Sequence, residues 1–145
     1  MDNLTRGIAL PDWVALRSKT HAEVSAISSF DESLTYEQLE IEVSHAAGRL
    51  LSLVEKSPTP IATLTKSGVN FAIALHSTIR ISRPILPLNT RLTVNELVWQ
   101  LQHAGVEYLL FDYSTGAYGK WFDGIGVGGQ LTYSFATHDT YTWSS

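Results

Sequence analysis

Apolar positions along this chain switch repeatedly between a helical period and short alternating or continuous runs. Leu39, Val43, Ala46, Ala47, Leu50, Leu51 and Val54 fall on one face of a helix about five turns long. Val69 to Ile81 is mostly apolar and fits a helix buried on more than one side. Asp12, after Pro11 and before Trp13, Val14 and Leu16, caps a short helix ending near Lys19. Between these lie strand candidates: Val24, Ala26, Ser28 and Phe30 in alternation, then Ile61–Thr65, Pro84–Leu88 and Val106–Phe111. The run Pro84-Ile85-Leu86-Pro87-Leu88 is bracketed by prolines, which limits its ladder bonds. Asp31-Glu32-Ser33 and Lys66-Ser67-Gly68 are turns, and Lys56-Ser57-Pro58-Thr59-Pro60 stops a helix.

Two helix starts share one device. Thr35 with Gln38, and Thr93 with Glu96, have the spacing of a capping box, and Leu34/Leu39 and Leu92/Leu97 flank them as hydrophobic staples. His45-Ala46 and His103-Ala104 follow at equal offsets, an echo that a shared cap explains and an internal duplication would also produce. Gly105 sits where a left-handed helix terminus favours glycine. Strand and helix thus alternate from residue 24 to 112 with short loops, which predicts βαβ units and a three-layer α/β fold around a mostly parallel sheet of about four or five strands.

Composition narrows the function. A chain of 145 residues, 44% hydrophobic and 17% charged, fits one soluble domain. A net charge of −4 offers little attraction to phosphate backbones or anionic lipid, so neither nucleic acid nor membrane is an expected partner. The absence of cysteine excludes disulfides, thiolate metal sites and cysteine nucleophiles. With no secretory pattern at the N-terminus and no apolar run near ~20 residues, a cytoplasmic location is expected. Composition shifts after Asp112: residues 113–145 hold six of the ten glycines and four of the six tyrosines. Two units follow, an α/β unit at 1–112 and a Gly/aromatic-rich tail at 113–145. In that tail Leu131–Phe135 and Thr140–Trp143 form a possible β-hairpin, or the segment is foreign to the fold.

The residues from Asp12 to Asp112 resemble the N-terminal part of the adenylate-forming acid–CoA ligases, the superfamily of acyl-CoA synthetases, firefly luciferase and peptide-synthetase adenylation domains. Leu34-Thr35-Tyr36-Glu37-Gln38-Leu39 resembles the first core motif and Ile79–Asn89 the second. Pro87–Thr93 with Glu96-Leu97 and Trp99-Gln100-Leu101 is most similar to 2-succinylbenzoate–CoA ligases of menaquinone and phylloquinone synthesis. The chain departs from the family at Ile81-Ser82, usually Ala-Gly, and at Thr59-Pro60, usually Gly-Asp. The resemblance implies that a carboxylate attacks the α-phosphate of ATP to give an acyl-adenylate, after which the CoA thiol displaces AMP. ATP, magnesium and CoA would serve the full-length family, and a small carboxylic acid would be the substrate. The family's phosphate loop, ribose-binding aspartate and catalytic lysine lie downstream of the matched region. The expectation is therefore a truncated N-terminal part, inactive alone and binding none of these cofactors tightly. A sheet face left bare would promote self-association.

No catalytic, cofactor-binding or metal-binding residue is assigned. Ser114–Lys120 lacks the hydroxyls between the glycines and the proline of that phosphate loop. Gly124–Gly129 spells Gly-x-Gly-x-x-Gly without the strand before it and the helix after it that a dinucleotide site needs. His21, His45, His76, His103 and His138 show no metal spacing, and Ser67 and Ser77 lack a nucleophile-elbow motif. Arg91 closes a strand at its carboxyl end, where it meets a carboxylate or phosphate or else ties down a loop. Two other readings are a non-catalytic remnant or interaction module, and a flavodoxin-like nucleotide binder. The latter is disfavoured by acidic Asp31-Glu32-Ser33 after the first strand.

Overall fold

The computed structural model describes residues 10–54, 58–111, 131–134 and 140–141. Helix α1 (Trp13–Thr20) starts as expected, with the Asp12 side chain accepting from the Ala15 N–H at 3.0 Å. Both capping boxes form at α2 (Tyr36–Leu53) and α4 (Val94–His103): Thr35 and Thr93 accept from the third-residue N–H, and Gln38 and Glu96 reach back to the cap N–H. The staple residues lie in the core they were expected to anchor: Leu39 and Leu97 are fully buried, with Leu34 and Leu92 packed at its edge. Helix α3 (Val69–Arg80) opens after Gly68, whose φ of 147° favours glycine.

The main sheet has the order β4-β3-β5-β6-β7. Its strands are β3 (Ile61–Leu64), β4 (Ile85–Pro87), β5 (Tyr108–Phe111), β6 (Leu131–Ser134) and β7 (Thr140–Tyr141). The pairs β4·β3, β3·β5 and β5·β6 are parallel, and β7 returns antiparallel to β6. Alternate residues of β3 and β5 feed two cores. Ile61, Tyr108 and Leu110 pack with α1, α2 and α3, whereas Ala62, Leu64, Leu109 and Phe111 pack with α4. The result is three layers: three helices, a mostly parallel sheet and one helix.

The first strand departs from expectation. β1 (Ser25–Ser28) pairs antiparallel with β2 (Ser33–Thr35) in a separate two-stranded sheet, so it takes no part in the parallel one. Its inward residues are Ala26 and Ile27, while Val24 and Phe30 are exposed. A register shift between Ser25 and Ile27 breaks strict alternation, so of the expected face only Ala26 turns inward and Ile27 joins it. β2 overlaps the helix cap and is too short to leave a periodic signal. Leu51, assigned to the inner face of α2, points to solvent. Of the tail, Leu131–Ser134 pairs in parallel with β5 and antiparallel with Thr140–Tyr141, while Phe135 and residues 142–143 lie outside the described residues.

Helix ends α3 and α4 are built alike. After α4, Gly105 N–H bonds Gln102 O at 3.1 Å and Val106 N–H bonds Leu101 O at 3.0 Å, with Gly105 at φ 64°. After α3, Ser82 N–H bonds Ile79 O and Arg83 N–H bonds Thr78 O, both at 2.9 Å, with Ser82 at φ 58°. Both are Schellman terminations, whose turning residue is left-handed and ordinarily glycine. Ser82 occupies that place.

Strand β4 is the sheet margin. Pro84 O accepts from Ile61 N–H at 2.9 Å and Leu88 N–H bonds Thr63 O at 2.8 Å, so these groups face β3. By strand alternation, Ile85 and Pro87 turn their backbone outward, and Pro87 has no N–H to offer there.

Candidate functional site

Open parallel sheets place ligands beyond the carboxyl ends of their strands. Here Thr65, Lys66, Ser67 and Gly68 leave β3 toward α3, and Leu88, Asn89, Thr90 and Arg91 leave β4 toward α4. Asn89 Oδ1 accepts the Arg91 backbone N–H at 2.9 Å, an Asx turn that leads into the α4 cap. The Arg91 side chain is exposed, and its guanidinium has no hydrogen-bond partner among the described residues. Thr63 and Thr65 bury hydroxyls that have no hydrogen-bond partner among the described residues. Ser114–Lys120, Gly124–Gly129 and His138 lie outside the described residues.

The charged groups that do converge gather around Arg80, the last residue of α3. Arg80 Nε donates to Asp12 Oδ2 at 2.7 Å, its Nη2 to Glu40 Oε2 at 2.6 Å, and its Nη1 to Glu40 Oε1 at 3.1 Å and Ser44 Oγ at 2.9 Å. This fork joins the cap of α1 to α2 and α3. Burial alone would raise the Asp12 carboxyl, but the Arg80 and Ala15 hydrogen bonds and the Arg80 charge outweigh it and hold its pKa below the ordinary carboxylate value. Burial likewise works against the charge of Arg80, and the two carboxylates overcome it, raising its pKa. Sequence offered no sign of this pairing, because 68 positions separate Asp12 from Arg80.

Arg83 is a second residue that sequence reasoning passed over. It is buried, donating from Nε to Thr59 O at 2.9 Å and from Nη2 to Thr59 Oγ1 at 3.1 Å, and it lies 5.9 Å from the Tyr108 ring centroid. Thr59 and the Ser82 turn thus flank one buried arginine.

The described histidines have separate surroundings, although His21 and His76 line one groove. His21 Nδ1 lies 2.8 Å from Thr20 Oγ1, His103 stacks on Trp99 with centroids 4.8 Å apart, and His45 is exposed. His76 is half-buried; burial lowers its pKa, the Asp12 charge partly restores it, and Arg80 lowers it further. Ser77, next in sequence, is buried and donates to Ile73 O at 2.6 Å, so it is a helix-packing hydroxyl. Among the described residues no group of three His, Asp or Glu side chains is placed to hold a metal ion.

A groove of about 710 Å³ opens between α1, β1, α2 and α3, with Trp13, Arg17, Tyr36 and His76 on its walls.

A family model described as AMP-binding enzyme matches residues 11–128. The 2-succinylbenzoate–CoA ligase of Bacillus cereus (strain Q1) is 30% identical over 103 residues, covering 71% of this chain and 21% of the relative. That of Bacillus licheniformis is 31% identical over 100 residues, 69% of this chain and 21% of the relative. The chain thus spans about a fifth of the length of these curated relatives. Among solved structures, o-succinylbenzoate CoA synthetase from Bacillus subtilis in complex with the acyl-adenylate intermediate OSB-AMP superposes with a TM-score of 0.75 at 22% identity. That match covers 88% of this chain and 32% of that one. An anthranilate CoA ligase in complex with anthranoyl-AMP gives a TM-score of 0.76 at 14% identity, covering 86% of this chain and 24% of that one.

Proposed function

This chain belongs to the AMP-binding enzyme family, the adenylate-forming acid–CoA ligases, and from that premise we propose that it is the front section of a 2-succinylbenzoate–CoA ligase. The observation that carries the reading is the 30–31% identity to two such ligases, shared over 100 or more residues. It is supported by both Leu-Thr caps, which the fold uses to seat α2 and α4. In the whole enzyme, magnesium-bound ATP supplies the adenylyl group and CoA the accepting thiol. The described residues do not fit these groups. Arg80 is committed to Asp12 and Glu40, Arg83 to Thr59, and no acid cluster is placed for magnesium. No step of the reaction is therefore assigned to the described residues, and we expect this chain alone to be inactive.

The active partner would be the rest of a ligase, and the substrate a small carboxylic acid. We place the protein in the cytoplasm and away from nucleic acid and membranes; among the described residues no helix is long and apolar enough to cross a bilayer. Composition sets the boundary of the ligase-like unit near residue 112, while the family match runs on to residue 128. The first test is ATP–pyrophosphate exchange with 2-succinylbenzoate: background rates are expected from this chain, and turnover above background refutes its inactivity. The second replaces the matching segment of a Bacillus 2-succinylbenzoate–CoA ligase with residues 10–112. A folded chimera should still adenylate 2-succinylbenzoate, and one without exchange activity overturns the assignment.

A second reading, a non-catalytic module, draws on the pairing of β6 and β7, which carry the sheet past β5. Sedimentation distinguishes the two. A clean monomer that binds no nucleotide favours the module, whereas self-association through a bare sheet face favours a ligase section.

A further inference from the structure

The groove beside α1 is unrelated to the adenylation reading and has its own chemistry. Its volume of about 710 Å³ lies within the ~300–1,000 Å³ span of small-molecule sites. Buried Val14 and Leu39 and half-buried Ala26 form an apolar floor contributed by α1, α2 and β1. Trp13, 58% exposed, and Tyr36 add aromatic walls. Arg17 lines the groove, and among the described residues no carboxylate does. Its guanidinium contacts His21 Nδ1 at 3.3 Å and has no acidic partner among the described residues. The acids nearby in the fold, Asp12 and Glu40, are held by Arg80. The groove therefore combines an apolar trough with one permanent positive charge and no competing anion.

We propose that this groove binds an anionic amphiphile, a single carboxylate on a hydrocarbon body, with the body along Val14, Ala26 and Leu39 and the carboxylate on Arg17. Trp13 covers the body from the solvent side. A neutral molecule of equal length gains the trough but not the charge, and a cation is repelled. His76 contributes polarity to the wall without a charge at neutral pH, since burial holds it unprotonated. Arg17 is therefore the residue that selects an anion.

The test uses the 145-residue chain. Dodecanoate, dodecanol and dodecyltrimethylammonium, all below their micellar concentrations, are titrated by calorimetry. Dodecanoate should bind at one per chain and at least tenfold more tightly than the other two. Arg17→Gln should erase that preference while leaving dodecanol binding unchanged. Leu16→Glu, at a position 52% exposed and so harmless to folding, should weaken dodecanoate tenfold or more by placing a carboxylate at the mouth. Equal affinity for dodecanoate and dodecanol, or an unchanged preference in Arg17→Gln, overturns the proposal. So does dodecanoate binding that is unaffected by Leu16→Glu. If sedimentation shows a concentration-dependent dimer that Leu16→Glu dissolves while dodecanoate fails to bind, the groove is a contact between two copies and the proposal fails.

Discussion

The two Schellman ends allow a paired experiment whose halves must move in opposite directions. Ser82 holds φ 58° and Gly105 holds φ 64°, and each closes its helix with the same two backbone bonds. A left-handed conformation costs a residue with a Cβ about 1–2 kcal/mol. Glycine avoids that cost but gives up about 0.5–1 kcal/mol through its freer unfolded chain. The net gain for Ser82→Gly is therefore about 0.5–1 kcal/mol, and Gly105→Ser should lose a similar amount. Neither value is contaminated by packing. Ser82 is exposed with no side-chain hydrogen bond among the described residues, and a Cβ at Gly105 meets nothing within 4 Å. Urea denaturation followed by circular dichroism should show the midpoint rising in the first variant and falling in the second, at constant slope. By heat the shifts should be about 2–4 °C each way. A destabilised Ser82→Gly, or shifts of the same sign, would refute the argument that backbone strain at these two positions governs the change.

The Arg80 fork predicts a ranked coupling. Its bond to Glu40 is two-pronged with side chains 20% and 24% exposed, whereas Asp12 is 39% exposed. Double-mutant cycles with Arg80→Met should give about 1.5–3 kcal/mol for Glu40→Gln and about 0.5–1 kcal/mol for Asp12→Asn. Coupling below about 0.5 kcal/mol for the Glu40 pair would show that the fork is dispensable. His76 sets a slope with pH. Its folded pKa lies below the unfolded value of about 6.5, so the unfolded chain takes up the proton first and stability falls as pH drops through that value. In a urea series from pH 7.5 to 5, His76→Gln should lose less stability than the parent; parallel curves would contradict the assignment. Thr63 buries a hydroxyl without a partner among the described residues, so Thr63→Val should raise the urea midpoint by the equivalent of about 1 kcal/mol, and a fall would reveal a missed hydrogen bond.

What could be read without coordinates was local. Caps at Asp12, Thr35 and Thr93 and the left-handed turn at Gly105 depend on side chains three or four positions apart, and all four form as expected. The two-sided burial of β3 and β5 was also legible, because continuous apolar runs fit strands covered on both faces. Pairing partners were not. β1 carries as much apolar residue as β4, yet a four-residue return to Ser33 makes it a hairpin rather than a sheet member. The candidate site was harder still. Arg80 and Arg83 sit one helix turn apart in sequence, and only the fold shows that both are spent on structure while Arg91 and Arg17 keep their charge outward.

One consequence follows from Pro87. A growing sheet recruits strands through whichever flank still presents donors and acceptors in a regular row. On the flank formed by Ile85–Pro87, the missing donor interrupts that row within three residues, so a neighbouring chain finds no continuous ladder to extend. Among the described residues, the β4 flank is thereby a poorer template for another strand.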